Sequence, residues 1–169
     1  RTKLKVGGQV DDASLERYRR KRDLERSPEP EGGAGTVDAP HFVVQKHDAS
    51  TLHYDVRLQV GDVLVSWAVP KGPSTDPAEQ RLAMPTEDHP LDYMDFEGVI
   101  PEGEYGAGTV LVWDRGPYRN LRAEKDDDGA DMPTSLEEGK VEVWLEGEKI
   151  AGGYALIRTD SGDDERWLL

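Results

Sequence analysis

The stretch HFVVQKHDASTLHYDVRLQVGDVLVSWAVP, residues 41–70, decides the fold of this chain. It contains three runs rich in β-branched and aromatic residues, at 41–47, 52–60 and 62–70, which predict three β-strands. Gly61 and Asp62 supply a tight turn, so the second and third strands are expected to form a hairpin.

The rest of the chain predicts more short strands. Residues 81–98 mix strand and turn, 108–116 form a strand, 140–158 form a hairpin that turns at Glu146-Gly147-Glu148, and RWLL (166–169) forms a last strand. Loops are expected at 71–80 and 101–108, and the acidic segment 122–135 is expected to be exposed. Many short strands joined by tight turns favour an antiparallel barrel or sandwich.

Helix is expected only in short pieces. One helix is predicted from Asp12, which can cap it, to about Leu24, and Ser135 with Glu138 forms a capping-box pattern for one further turn. Residues 27–40, SPEPEGGAGTVDAP, form a Pro/Gly-rich connector. We therefore predict a flexible lead over residues 1–12 and a single domain over 13–169.

Composition narrows the class of protein. The chain has 169 residues and no cysteine, so disulfides, zinc–thiolate sites and thiol nucleophiles are excluded. A chain without an apolar run of 18 residues is not expected to span a membrane, and a soluble, cytoplasmic and monomeric protein is expected. The net charge of −14 argues against nucleic-acid binding, although Arg17–Arg26 (RYRRKRDLER) is a basic island. Such an island is either a solvated helix face or a phosphate-binding patch.

The second strand carries the candidate chemistry. Strand alternation places Leu52, Tyr54, Val56 and Leu58 on one face, and His53, Asp55, Arg57 and Gln59 on the opposite, non-core face. Gln45 and His47 share a face of the preceding strand, so pairing of the two strands brings His47 to His53 and Asp55. Two imidazoles and one carboxylate can hold a divalent metal, and Arg57 beside them suits phosphate.

An ordinary surface salt-bridge ladder is the alternative interpretation of this face. Lys71 and Arg81 stand in polar loops where phosphate can approach, and EDHPLDY (87–93) places His89 and Tyr93 beside acidic residues. The glycine-rich stretch PEGEYGAG (101–108) lacks the ending of a P-loop and indicates a structural turn.

Three long stretches resemble a known family. They are YRRKRDLERSPEPEG (18–32), FVVQKHDASTLHYDVRLQVGDVLVSWAVPKGPS (42–74) and EDHPLDYMDFEGVIPEGEYGAGTVLVWDRG (87–116). They are similar to the 3′-phosphoesterase domain of bacterial DNA ligase D and its stand-alone relatives. The resemblance covers roughly residues 15–169 and implies a mainly β fold with an antiparallel β-barrel core and short flanking helices.

The resemblance also implies an activity and a site. The family is a Mn²⁺-dependent enzyme that removes a 3′-terminal ribonucleoside and then the 3′-phosphate, leaving a 3′-OH for end joining. Zn²⁺ and Co²⁺ are alternative metals. The implied metal ligands are His47, His53 and Asp55. The implied catalytic residues are Arg57, His89, Tyr93, Arg22, Asp23, Glu29 and Glu87, and the implied phosphate-binding residues are Gln45, Lys71 and Arg81.

Departures from the family pattern concern the rim of the pocket. Leu24 replaces an aromatic residue, Ser27 replaces a threonine, and LAMPTEDHP differs before the histidine. The expected partners are DNA or RNA–DNA 3′ primer ends, with ligase and polymerase domains or end-joining proteins, in the nucleoid. In the expected mechanism, water attacks in line and a protonated His89 donates to the leaving oxygen.

Two other functional classes fit part of the pattern. A non-haem Fe(II) oxygenase uses two histidines and one carboxylate as a facial triad, and it needs an arginine for its 2-oxoacid, for which Arg115 is the candidate. A non-catalytic module that recruits repair partners is the other.

Overall fold

The computed structural model describes residues 12–32, 39–162 and 165–169. Residues 1–11 of the predicted lead and residues 33–38 of the connector lie outside the described residues. The backbone of Asp12 is described but its side chain is not, so the predicted cap of the first helix also lies outside the description. The elements are α1 (Asp12–Arg20), β1 (His41–Asp48), β2 (Leu52–Val60), β3 (Val63–Val69), β4 (Leu82–Pro90), a 3₁₀ helix (Leu91–Asp95), β5 (Gly98–Ile100), β6 (Gly108–Asn120), α2 (Met132–Glu138), β7 (Lys140–Glu146), β8 (Ala151–Asp160) and β9 (Arg166–Leu168).

In the described part of the chain, nine strands form one antiparallel, ring-like sheet in the order β1-β2-β3-β4-β9-β8-β7-β6-β5. Pairing of β1 with β6 joins the ring, and β5 lies beside β6. The long strand β6 pairs first with β1 and then, through residues 118–120, with β7. The predicted mainly β, antiparallel class with short flanking helices is confirmed, and so are the hairpins β2–β3 and β7–β8.

Two hydrophobic clusters lie on opposite faces of β1. The larger cluster draws side chains from each of the nine strands except β5, including Phe42, Leu58 and Trp67. The smaller cluster packs Val43 of β1 against Tyr18 of α1 and against Tyr93 of the 3₁₀ helix. Apolar burial on both sides fixes β1 between two cores.

This second layer corrects the prediction that the His53–Asp55–Arg57 face of β2 is the face away from the core, in water. Asp55 and Arg57 are 5% and 3% exposed, and the burial pattern of β2 does not alternate. The reason is that α1, the 3₁₀ helix and the segment around Glu29 cover this face. A surface ladder of ion pairs is therefore not what these residues form.

Two helix predictions are also corrected. The first helix ends at Arg20 instead of about Leu24, and the Arg22 guanidinium turns back to donate to the Tyr18 carbonyl at 3.0 Å. The second helix begins at Met132, and its cap is Asp131, whose side chain accepts from the Thr134 N–H at 2.9 Å. Ser135 lies buried inside that helix, because Asp131 followed by Pro133 is an earlier start signal than the predicted capping box.

No helix in the described part of the chain is both long and apolar enough to cross a membrane.

Trp67 provides a test of the packing in the larger hydrophobic cluster. It is 1% exposed and its ring lies 5.4 Å from the Trp167 ring. We expect Trp67→Ala to lower the free energy of unfolding by about 3–5 kcal/mol, because the cavity left behind cannot collapse fully. Urea denaturation measures this, with Trp144→Ala, at a 39% exposed position, as the control. Equal losses in the two variants would contradict the packing described above.

Candidate active site

A cavity of ≈ 270 Å³ opens on the covered face of β1–β4. Neighbouring strands, the segment after α1 and the loop after β5 all contribute to its wall. The lining residues are Arg22, Glu29, His47, Ala49, His53, Asp55, Arg57, Ala68, Thr86, Glu87, His89, Tyr93, Ile100, Tyr105 and Gly106.

The register of β1 and β2 brings the three predicted metal ligands together. His47 stands directly opposite His53, and Gln45 stands opposite Asp55. One ligand atom from each of His47, His53 and Asp55 lies within 4.8 Å of the others. The Asp55 carboxylate is 3.4 Å from His47 Nδ1 and 3.2 Å from His53 Nε2.

Backbone carbonyls determine which nitrogen of each histidine is free. His47 Nε2 lies 2.6 Å from the Gly106 carbonyl, and His53 Nδ1 lies 3.1 Å from the Thr51 carbonyl. A carbonyl oxygen only accepts, so each of these nitrogens carries the proton. The other nitrogens, His47 Nδ1 and His53 Nε2, both face Asp55. Each donates to that carboxylate when it carries a proton, and offers a lone pair to a metal when the proton is lost. This is the arrangement that orients histidine ligands around a metal, so the three residues fit a divalent cation.

Asp55 is ionised although it is buried. Burial alone raises the pKa of a carboxyl group, but the charge of Arg57 and hydrogen bonds from His47 and His53 outweigh it and hold the pKa of Asp55 far below its usual range. The hydrogen bond to Asp55 in turn raises the pKa of His53. A metal at this site therefore competes with a proton for His53.

Arg57 is held in place by Gln45. The Arg57 Nε donates to Gln45 Oε1 at 2.7 Å, and Gln45 Nε2 donates to the carbonyls of Tyr93 and Phe96. Gln45 is fully buried and lies outside the cavity lining, so both ends of its amide are used inside the protein. Its place in the structure is that of a residue that positions Arg57.

Arg22 lies between two carboxylates. Its Nε donates to Glu29 at 2.9 Å and its Nη1 donates to Glu87 at 2.9 Å. Glu29 also accepts from the Tyr93 hydroxyl at 2.6 Å and from the Ser27 hydroxyl at 2.7 Å. A threonine, the residue usual in the family at position 27, can make the same bond. Burial raises the pKa of Glu87, but Arg22 and Lys21 outweigh it, so this pKa is lowered and Glu87 is ionised.

A bulge explains how β4 contributes to the cavity. The register between β3 and β4 shifts between Leu64 and Ser66, where two residues of β4, Glu87 and Asp88, stand opposite one residue of β3, Val65. Consecutive residues Thr86 and Glu87 consequently both line the cavity, together with His89.

His89 is neutral in this environment. Burial, together with the charges of Arg57 and Arg22, holds the pKa of His89 well below its ordinary value. Its Nδ1 donates to the Glu87 carbonyl at 2.8 Å, and its Nε2 accepts from Arg22 Nη2 at 3.3 Å. The protonated His89 expected from the sequence is therefore not the state of the free pocket.

Four predicted residues lie outside the cavity lining: Gln45, described above, and Lys71, Arg81 and Asp23. Lys71 is exposed, and the Arg81 guanidinium donates to the carbonyls of Lys71 and Gly72. The exposed Asp23 accepts from the Glu25 N–H. The phosphate-binding or catalytic roles predicted for these four residues stay predictions.

Sequence reasoning missed several residues of the pocket. Gly106 and Tyr105 come from PEGEYGAG, which was interpreted as a structural turn only, and Lys21 donates to Glu87 at 3.1 Å. Lys21 belongs to the basic island, so its charge was a usable signal. The bond between His47 and the Gly106 carbonyl could not be predicted, because every residue type has a backbone carbonyl.

Comparison with known proteins supports the resemblance. The family model of the DNA ligase D 3′-phosphoesterase domain matches residues 45–158. The multifunctional non-homologous end joining protein LigD of Pseudomonas aeruginosa is 51% identical over 159 residues, which cover 92% of this chain and 18% of that protein. The multifunctional non-homologous end joining DNA repair protein LigD of Mycobacterium tuberculosis is 48% identical over 156 residues, 91% of this chain and 19% of that protein.

These matches are long on this chain and short on the relatives. The chain spans about a fifth of the length of the LigD proteins it matches. The matched region contains the three metal-ligand candidates together with Arg57, Glu87, His89 and Tyr93. The chain belongs to the family of DNA ligase D 3′-phosphoesterase domains.

Proposed function

We propose that this chain is a Mn²⁺-dependent phosphoesterase that removes a 3′-terminal ribonucleoside and a 3′-phosphate from primer ends, leaving a 3′-OH for end joining. The observation that carries the proposal is the set of three converging ligands, His47, His53 and Asp55, with Arg57 Nη2 only 3.5 Å from Asp55. Family membership supports a hydrolase of phosphate esters.

The charge in the pocket suits a phosphate only when a metal is present. Three positive and three negative side chains stand in or beside the pocket: Lys21, Arg22, Arg57, Asp55, Glu29 and Glu87. These charges cancel, so a divalent cation leaves the pocket with two positive charges. A phosphate monoester, which carries close to two negative charges, neutralises them. Substrate binding is therefore expected to depend on the metal.

The side chains divide the chemical work. A divalent ion held by His47, His53 and Asp55 would supply Lewis-acid polarisation of a phosphoryl oxygen. Arg57 and Arg22 are planar donors that can bind the non-bridging oxygens and offset charge in the transition state. In the first step water attacks phosphorus and the bond from phosphorus to the 5′ oxygen of the terminal ribonucleoside breaks, which leaves a 3′-phosphate on the strand. In the second step water attacks the same phosphorus and the bond to the 3′ oxygen breaks. In each step the leaving oxygen takes a proton.

His89 is our candidate for the group that supplies this proton. Its Nε2 accepts from Arg22 in the free pocket, and a phosphate that takes over the Arg22 hydrogens releases it. The negative phosphate also offsets the two arginine charges that, with burial, keep the pKa of His89 low. Substrate binding thus raises that pKa, which reconciles the neutral histidine of the structure with an acid in the reaction.

The direct test is incubation of the chain with Mn²⁺ and a duplex whose primer ends in one 3′-ribonucleotide, followed by sizing of the products on a gel. The proposal expects loss of the ribonucleoside, then of the 3′-phosphate, without any need for oxygen. Zn²⁺ and Co²⁺ are tested in parallel. If none of these metals supports release of the ribonucleoside or of the 3′-phosphate, the proposed activity is wrong.

The two rival functions have less support. The oxygenase interpretation needs Arg115, but that side chain pairs with Asp95 on the surface, outside the cavity lining. A non-catalytic recruiting module has no use for two histidine nitrogens that face the same buried carboxylate. The ligase and polymerase partners, and a place at DNA ends in the cytoplasm, are proposed from membership of the family, whose longer relatives are named as multifunctional non-homologous end joining proteins.

The metal ligands give a sharp prediction. We expect His53→Gln to reduce Mn²⁺ affinity and phosphate release by more than about 100-fold. This loss is larger than the usual effect of removing a residue that only hydrogen-bonds to a metal ligand. The protein stays folded, because His53 is half-buried and makes one backbone bond. Calorimetric Mn²⁺ titration and a phosphate-release assay measure the effect. His41→Gln is the matched control, since His41 lies outside the cavity lining; similar losses in both variants would refute the assignment.

Glu87 gives a prediction on stability and pH. Its folded-state pKa is lowered, so its contribution to stability is present above the unfolded pKa and lost as pH falls through the folded value. We expect Glu87→Gln to lower the free energy of unfolding by about 1–3 kcal/mol at neutral pH. The difference from wild type shrinks once the pH drops below about 4.3, the ordinary glutamate pKa.

Urea denaturation between pH 3 and pH 8, in a chelator that removes metal effects, measures this difference. Glu142→Gln is the control, because Glu142 pairs with exposed Lys125 and Lys140 and such surface pairs contribute little. A loss at Glu87 that is independent of pH, or no larger than that at Glu142, would contradict the buried ion network.

A further inference from the structure

Tyr105 is an exposed aromatic residue at a pocket that otherwise carries charge. Tyr105 is 46% exposed, and it lines the same cavity as the metal-ligand candidates. It belongs to none of the hydrophobic clusters of the described residues. Packing in the core therefore does not explain why a tyrosine stands here.

The loop over residues 101–107 fixes the place of Tyr105 relative to the metal site. The next residue, Gly106, accepts from His47 Nε2 at 2.6 Å, and consecutive Cα atoms are only about 3.8 Å apart. Two turn bonds, from the Glu104 N–H to Pro101 and from the Ala107 N–H to Glu104, hold the loop. Gly106 has a φ of 73°, a conformation that favours glycine.

Cations hold the Tyr105 ring at the mouth of the pocket. Lys21 Nζ donates to the Tyr105 hydroxyl at 3.2 Å and lies 4.7 Å from the ring centroid. The Arg22 guanidinium carbon lies 5.2 Å from the same centroid. Nearly half of the side chain nevertheless faces solvent, so the ring is positioned while it keeps free surface.

The size of the cavity indicates which part of a nucleotide would contact the exposed surface of the Tyr105 ring. At ≈ 270 Å³ the cavity is smaller than the roughly 300–1,000 Å³ pockets that enclose drug-sized ligands. A phosphate with part of its sugar fits inside, and the base of the same nucleotide is then left at the mouth. A base has a flat π-face, which stacks on exposed aromatic rings with little regard to sequence.

We propose that Tyr105 is a stacking platform for the base of the terminal nucleotide, and that Lys21 and Arg22 hold its ring in position. The inference rests on the proposed function, since it assumes that a strand carrying a 3′-phosphate occupies the pocket. Tyr105 acts on binding of the strand end, and the reacting atoms lie deeper in the pocket.

The test compares two strands that differ only in the terminal base. One primer ends in an ordinary 3′-phosphorylated nucleotide, and the other ends in an abasic 3′-phosphorylated residue. We expect Tyr105→Leu to raise KM for the first primer by roughly 5- to 150-fold, with kcat little changed. For the abasic primer, Tyr105→Leu and the wild type should have the same KM. Tyr105→Phe keeps the ring and should stay much closer to wild type than Tyr105→Leu.

Two controls keep the result specific. Trp144→Leu removes another exposed ring beside a cation, with Arg119 at 5.8 Å from its centroid, at a site outside the cavity lining. Mn²⁺ titration of Tyr105→Leu checks that the His47–Gly106 bond is intact. Three results would overturn the stacking proposal. They are an equal rise in KM on both primers, a rise for Tyr105→Phe as large as that for Tyr105→Leu, and a loss of Mn²⁺ affinity that accompanies the rise in KM. If wild type cleaves neither primer, the proposed function fails instead.

Discussion

The burial of Asp55 and Arg57 under a second layer of structure is the constraint on which the rest of the site depends. Ionised groups with 5% or less exposure are costly unless each is paired and hydrogen-bonded. Asp55 is compensated by Arg57 and two histidines, and Arg57 by Asp55 and Gln45. A network of ion pairs and hydrogen bonds therefore extends from Asp55 and Gln45, which stand opposite each other in the β1–β2 ladder.

The parts of the molecule outside the ring complete this compensation. The segment after α1 brings Arg22 and Glu29, and the 3₁₀ helix brings Tyr93, whose hydroxyl donates to Glu29. Tyr18 and Tyr93 pack their rings against His89, at centroid distances of 5.1 and 4.7 Å. The same side chains thus bury the second hydrophobic cluster and build the pocket wall. Loss of the segment after α1 would expose the pocket and leave Glu87 and Glu29 without their shared arginine.

The sequence predicted the strands and the convergence of His47, His53 and Asp55 because both depend on short-range patterns. Alternation along β2 puts His53 and Asp55 on one face, and the hairpin signal at Gly61 fixes the neighbour on one side. Burial of that face could not be predicted, since polar residues on a strand normally indicate solvent. The covering layer comes from segments distant in sequence, and the contacts of Arg22 with Glu87 span 65 residues.

Helix ends and loop contacts were predicted less well for a related reason. The end of α1 is set by the tertiary partners of Arg22, and no local signal competes with them. The start of α2 was misplaced because two capping signals lie four residues apart, and the earlier one, Asp131, forms the cap. The bond between His47 and the Gly106 carbonyl involves only backbone on one side, so residue types do not reveal it.

An acidic protein that binds an anionic strand needs its attraction to be local. With a net charge of −14, the surface as a whole repels a phosphate backbone, and the side chains of the pocket sum to zero without a metal. A divalent cation reverses the sign only within a few ångströms of His47, His53 and Asp55. Under the proposed function, this charge distribution selects the end of a strand over its length. The proposed stacking on Tyr105 adds affinity that does not depend on charge.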